Sequence, residues 1–277
     1  MAAKSADARP NILGAIGGWL WLAVIILPIY YIFITSLRPR EDYYSENPLS
    51  WPSNATLDAY TRVLENDFVR FFLNSVVVTV CAVAATLAVS LMAAYVVVRN
   101  RSRFGRNLFR VALLGIAIPI QAAIIPVYYL IVQMGLYDTL LALILPSIAF
   151  AIPLTLLILT NFLREIPESL FESMRIDGAT EWRILLRLVV PLSRPALATV
   201  GVYQALQVWN GFLFPLVLTQ SSDTRVIPLS LWSFQGQFGV DVPAVLAAVV
   251  LSVLPMLAAY ILARRQLVSG LTAGIGK

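Results

Sequence analysis

Six stretches without a charged residue, separated by short polar segments, dominate the pattern of this chain. They predict helices over 12–37, 71–98, 111–135, 139–163, 195–219 and 242–263. Each is longer than the roughly 20 residues an α-helix needs to cross the hydrocarbon of a bilayer. An unpaired backbone cannot sit in lipid, so six spanning helices form the expected frame and the fold class is an all-α membrane protein. The polar segments then divide the chain: an N-terminal tail over 1–11, a transmembrane domain over 12–263, and a tail over 264–277. The first apolar stretch is too long for a cleaved secretory signal, whose apolar part runs about 7–15 residues, and reads as a retained anchor.

Proline recurs inside these stretches, at Pro28, Pro119, Pro126, Pro146, Pro153, Pro215 and Pro255. Each removes one backbone hydrogen bond and kinks its helix. The kinks are either ordinary features of a membrane bundle or, at Pro119 and Pro126, the shape of a gate. The segment over 38–70 is rich in Pro, Asn, Asp and Tyr and predicts a small loop with a short helix over 57–64. Residues 220–241 hold the aromatic run LWSFQGQF and are expected to cap the outer mouth.

Composition supports the membrane reading: 59% of the 277 residues are hydrophobic and 13% charged. The net charge of +5 reflects topology. Fifteen of the 20 Lys and Arg fall on the face carrying both tails and the 99–110 and 164–194 loops. By the positive-inside rule that face, with both termini, is cytoplasmic. Because these cations alternate with apolar spans, they form no single basic face for nucleic acid. One cysteine, Cys81, and no histidine leave no internal disulfide and no basis for a zinc or haem site.

No Asp, Glu, Lys, Arg or His lies inside the six stretches. Ion-coupled carriers, channels and membrane enzymes commonly need ionisable groups at depth, which argues against a secondary transporter, a channel subunit or a catalyst. The polar groups present are amides and aromatics, among them Gln121, Tyr128, Gln204, Gln207 and Asn210. They serve either as interhelical glue, at about 0.6–2 kcal/mol each, or as the lining of a passage for a neutral, hydroxyl-rich solute.

Between the fourth and fifth apolar stretches, residues 164–194 are close to charge balance. Pro167 suits a helix start; Leu170, Phe171 and Met174 make an apolar strip at helical spacing. Asp177-Gly178 breaks the run, with Asp177 placed to cap a second helix marked by Trp182, Leu185, Leu186 and Val189 and ended by Pro191. Two short helices joined at a glycine make a docking knob.

This loop resembles the EAA motif of ABC importer permeases. Glu172-Ser173-Met174, Gly178 and Leu188-Val189-Val190-Pro191 keep its spacing, with Ser173 and Met174 standing for its two alanines. Ile176-Asp177-Gly178-Ala179 matches the core of its carbohydrate branch. The resemblance to MalG-type sugar permeases extends along the chain, through Thr35-Ser36-Leu37-Arg38-Pro39, Asn74-Ser75, Ile125-Pro126, Trp209-Asn210, Phe212-Leu213, Pro215-Leu216 and Gly270-Leu271-Thr272-Ala273-Gly274. It implies a type I importer permease fold in a bacterial inner membrane and a non-catalytic pore subunit for a sugar or related solute. Glu172, Asp177, Gly178 and Ala179 become ATPase-coupling residues, and Gly270, Leu271, Thr272, Ala273 and Gly274 a short strand reaching the ATPases. The implied partners are a second, MalF-like permease, two copies of an ABC ATPase subunit that hold the ATP and Mg²⁺, and an extracytoplasmic solute-binding protein. The tail itself is no phosphate-binding loop. Counting back from Gly276-Lys277, its first glycine is required at 271, where Leu stands.

Overall fold

The computed structural model describes residues 12–99, 102–236 and 239–273. The described residues are predominantly helical, and the chain divides into two compact units.

One unit comprises the chain up to Asn66 together with Phe234–Leu251. It holds α1 (Ile12–Ser36), α2 (Asp58–Glu65), a two-residue antiparallel ladder of β1 (Gln235–Gly236) with β2 (Gly239–Val240), and the start of α13 (Val242–Ala273). Nothing in the most apolar part of α1 is buried within the chain, as suits a helix whose surroundings are lipid or another subunit. The 37–57 segment is organised by Arg38, which is fully buried. Its guanidinium lies 3.1 Å from Glu46 and donates to the carbonyls of Asn47 (3.1 Å) and Ser50 (2.9 Å). A buried guanidinium with a charge partner and carbonyl acceptors offsets its own desolvation. Arg62 on α2 pairs with Asp241 at 3.1 Å, and Asp241 caps α13 through the Ala244 amide at 3.1 Å.

The second unit, Asp67–Ser233 with the chain from Ser252, contains α3 to α12 and the rest of α13. Its spine is α3 (Phe68–Arg99) packed on α6 (Leu140–Arg164). At one end Val78 and Ala82 of α3 meet Leu143 and Ile144 of α6 together with Phe214, Leu218 and Val226. At the other, Leu91, Ala94 and Tyr95 meet Leu156, Leu159 and Leu163 with Phe171, Ile184, Leu185 and Val189 of the 164–194 loop.

Among the described residues, four helices are long and apolar enough to cross a membrane, and six spans result if each of two bent pairs is one span. The first bent pair falls in the helix expected over 111–135, at the first of its two prolines. α4 (Arg103–Leu114) runs through a 3₁₀ turn at Gly115–Ala117, and α5 (Ile120–Gln133) leaves at 108°. Pro119 explains the break, since its ring disfavours a helical conformation at the preceding residue and Ile118 is extended at φ −81°, ψ 113°. Gly115 makes the corner possible: a Cβ there would lie 2.8 Å from Cγ of Pro153 on α6. Pro126, by contrast, stays inside α5.

The helix expected over 195–219 is likewise divided, into α10 (Arg194–Trp209) and α11 (Leu213–Leu218). Asn210 turns its amide back onto the Leu206 carbonyl at 2.9 Å, and Pro215 cannot donate to the carbonyl of Gly211. The short α12 (Ile227–Ser230) follows. α13 runs beyond 263 to Ala273, with no proline after Pro255 to stop it.

Candidate functional site

Two features of the second unit gather some of the predicted site residues: the 164–194 loop and a cavity between α3, α6 and α10.

The loop folds as α7 (Glu168–Ile176), then α8 (Glu181–Ile184), a π-helical stretch at Leu185–Val189 and α9 (Val190–Leu192). Its central turn explains the Asp-Gly-Ala sequence. Gly178 has φ +75°, a conformation that side-chain-bearing residues rarely adopt. Its amide bonds to the Arg175 carbonyl (3.0 Å) and the Ala179 amide to that of Met174 (2.9 Å), the doubled closure of a Schellman motif. Asp177 therefore ends α7, and the expectation that it caps the next helix is corrected. Thr180 does so, its hydroxyl accepting from the Arg183 amide at 3.4 Å. Pro191 does not end the second helix either: the turn comes at Ser193, where the chain bends by 73° into α10. The π stretch lies just ahead of Pro191, whose nitrogen cannot donate to the Arg187 carbonyl.

Of the expected apolar positions, Phe171, Leu185 and Val189 are buried and Met174 packs against them. Leu170, Trp182 and Leu186 are exposed instead, as is Ile176 at 85%. Glu172, Asp177 and Gly178 share this exposed surface, while Ala179 packs on the core beneath. The loop thus has one face sealed to α3 and α6 and another presenting large apolar side chains beside the acidic residues.

The sealed face is also fastened by charge. The Tyr95 hydroxyl donates to Glu181, whose other carboxylate oxygen accepts from Arg175 at 2.9 Å. Arg99 pairs with Glu168 and lies 4.3 Å above the Phe171 ring.

The cavity has a volume of about 390 Å³, within the size range of small-molecule sites. Of the predicted pore-lining residues, Gln204 and Gln207 face it together; Gln121, Tyr128 and Asn210 do not. Gln121 is exposed on α5, Tyr128 stacks edge-on against Tyr137 at 5.7 Å, and the Asn210 amide is engaged by its own helix. Gln204 also ties α10 to α6, donating to the Thr155 hydroxyl at 3.0 Å and the Ala151 carbonyl at 3.4 Å. Glue and lining are therefore combined in one side chain.

Sequence reasoning missed the hydroxyls of Ser75, Thr79, Ser147 and Tyr203, which supply most of the remaining polar lining. Ser75 and Thr79 stand one turn apart on α3, the available signal for a shared face. The Thr79 hydroxyl is buried and has no hydrogen-bond partner within the protein. Phe150, Phe212, Phe214 and Trp209 add aromatic surface, and no described lining residue is charged.

At the tail, Gly270, Leu271, Thr272 and Ala273 are the last residues of α13, helical where a strand was expected, and Gly274 lies outside the described residues.

Comparison with known proteins fits this architecture. The chain is 38% identical over 258 residues to a putative ABC transporter permease protein from Caldicellulosiruptor sp., spanning 93% of this chain and 94% of the relative. It is 30% identical over 276 residues to the diacetylchitobiose uptake system permease protein NgcG of Streptomyces coelicolor, spanning 99% and 91%. Its fold is similar to a chain in the crystal structure of a bacterial ABC transporter importing alginate, with a TM-score of 0.80 at 23% identity, over 96% of this chain and 99% of that one. Residues 86–268 match the family described as the binding-protein-dependent transport system inner membrane component. The bent-helix bundle, the projecting Gly178 knob and these matches together make the chain a member of that family, a permease subunit of an ABC importer.

Proposed function

We infer that the solute is a neutral sugar or oligosaccharide and that this chain forms one side of its path. The carrying observation is the cavity, which offers hydroxyl, amide and aromatic groups without a charge. A sugar presents both donors and acceptors at every hydroxyl, and the unpartnered Thr79 oxygen has a hydrogen bond to give and to receive. Sugar rings also place apolar C–H faces against aromatic surface such as Phe150 and Trp209. The diacetylchitobiose named for the Streptomyces relative belongs to the same chemical class.

In this reading the chain is non-catalytic and pairs with a second, MalF-like permease. Two copies of a separate ABC ATPase subunit bind ATP and Mg²⁺, and an extracytoplasmic solute-binding protein delivers the sugar. The exposed face of the 164–194 loop, with Glu172, Asp177 and the apolar Ile176 and Trp182, enters a groove of an ATPase subunit. Gly270–Gly274 reach the ATPase pair. Both termini are cytoplasmic, on the side holding fifteen of the 20 Lys and Arg.

Reconstitution of the complete complex in proteoliposomes tests this. Uptake of a labelled neutral oligosaccharide is expected to need ATP, the binding protein and the ATPase subunits. Uptake that persists without the ATPases sinks the reading in favour of an ion-coupled carrier. Thr79→Val is expected to lower sugar uptake about three- to tenfold, the loss of one hydrogen bond, with ATPase assembly unchanged.

A further inference from the structure

The 164–194 loop continues covalently into α6 and α10, yet its polar fastening is to α3. Tyr95 and Arg99 are one helical turn apart at the end of α3 and therefore share a face. Tyr95 holds Glu181, the first residue of α8, and Arg99 holds Glu168, the first residue of α7. Both loop helices are thus gripped at their starts, where a carboxylate is also favoured by the helix dipole. Arg175 on α7 ties to the same Glu181 at 2.9 Å and joins the two helices.

The grip is asymmetric in burial. Tyr95 is 7% exposed and the Arg99 side chain 9%, whereas the side chains of Glu168 and Glu181 are 54% and 57% exposed. Moving the loop away alone would break the Tyr95–Glu181 bond, the Arg99–Glu168 pair and the Arg99–Phe171 contact together. It would also strip Phe171, Ile184 and Leu185 from their apolar packing beside Tyr95, so displacement of the loop drags α3 with it. Near its other end the same helix supplies Ser75 and Thr79 to the cavity.

The geometry points to Tyr95 and Arg99 as positioning residues that carry displacement of the loop into α3 and so to the cavity wall. This rests on the reading that the loop docks on an ATPase subunit. Four features are joined in it: two side chains at helical spacing, two helix starts, a buried-to-exposed pairing and one continuous helix of 32 residues.

The test is the amount of sugar taken up per ATP hydrolysed, measured on the complete complex with its ATPases and binding protein. Tyr95→Phe and Arg99→Gln are each expected to keep ATPase co-purification and hydrolysis within about twofold while uptake per ATP falls about fivefold or more, a usual allosteric coupling size. Arg99→Lys is expected to recover part of the ratio. Combining Tyr95→Phe with Glu181→Gln should do no more harm than the worse single change, since both remove one bond. Hydrolysis and uptake falling in proportion, or a ratio unchanged in both variants, overturns the inference while wild-type coupling stands. Wild-type uptake without ATPases overturns the underlying reading, and the inference with it.

Discussion

The two ends of α3 hold their neighbouring segments by different chemistry. At the Asn74 end the grips are chiefly side chain on main chain, beside an exposed Arg70–Asp223 ion pair and an Arg225–Phe71 ring contact. The Asn74 amide donates to the carbonyls of Asp223 (2.8 Å) and Arg225 (2.9 Å), and Ser75 accepts from the Ile227 amide at 2.9 Å. Nearby, the Asp138 carboxylate accepts from the amides of Gln220 (2.9 Å) and Ser221 (3.1 Å) and from the Thr224 hydroxyl (2.6 Å). At the Arg99 end, side chain meets side chain, in ion pairs and a ring contact. Main-chain grips dictate the path of the 219–227 segment whatever side chains it carries. Side-chain grips leave α7 and α8 intact as units and fix only where they sit, the arrangement suited to a part that moves as a body.

The largest effect is expected from Gly178→Val at the loop turn. A β-branched residue at φ +75° costs about 1–2 kcal/mol locally and redirects α8, so uptake should fall more than about tenfold, with loss of ATPase co-purification. Retained uptake would show that the loop's internal geometry is unimportant and would erase the contrast. Asn74→Ala should come next. Two main-chain carbonyls lose their donor, at a cost of about 1–3 kcal/mol, so limited proteolysis should cut faster within 219–227 while sugar taken up per ATP stays constant. A changed ratio would mean that both ends transmit, and the distinction would fail.

Arg70→Gln probes the side-chain pair at the Asn74 end. Both partners are more than half exposed, so unfolding is expected to shift by less than about 0.5 kcal/mol, read from thermal melting in detergent. The smallest effect concerns pH. Burial raises the Asp138 pKa, but the amide of Gln220, the Thr224 hydroxyl and the Ser221 amide outweigh it and hold the carboxyl at about 2, below its ordinary 3.8. Because the folded value is the lower one, the stabilisation is complete above about pH 4 and is lost as pH falls through about 2. Proteolysis within 219–227 should therefore be flat from pH 8 to about 4, and Asp138→Asn should raise it across that whole range.

Hydropathy located the apolar stretches and the knob between them, because lipid burial and helical spacing act on composition over many residues. It did not reveal the corner at Ile118-Pro119, since the apolar run passes through without interruption. Only the pre-proline clash marks that position in the sequence. Gln204 and Gln207 stood out as amides in an apolar stretch, whereas Gln121, Tyr128 and Asn210 looked equivalent until helix rotation and the break after Trp209 separated them. Ser147 was silent for another reason. Its hydroxyl donates to the Leu143 carbonyl at 2.7 Å, as serines in membrane helices commonly do, and nothing in its neighbours announces a cavity. Tyr95 and Arg99 sit where an apolar run meets a basic flank, and nothing in that local pattern points to Glu168 and Glu181 some 70–90 residues away in the chain.

The length of α3 has a consequence of its own. Its 28 residues without charge, 71–98, extend about 42 Å at 1.5 Å per residue, well beyond a hydrocarbon thickness of about 30 Å. Tilt or local thickening of the lipid has to absorb the surplus. A thinner bilayer increases the tilt and swings the Tyr95 and Arg99 turn sideways, while a thicker one draws it upright. Sugar taken up per ATP is therefore expected to depend on acyl-chain length, making the importer responsive to the membrane in which it is embedded.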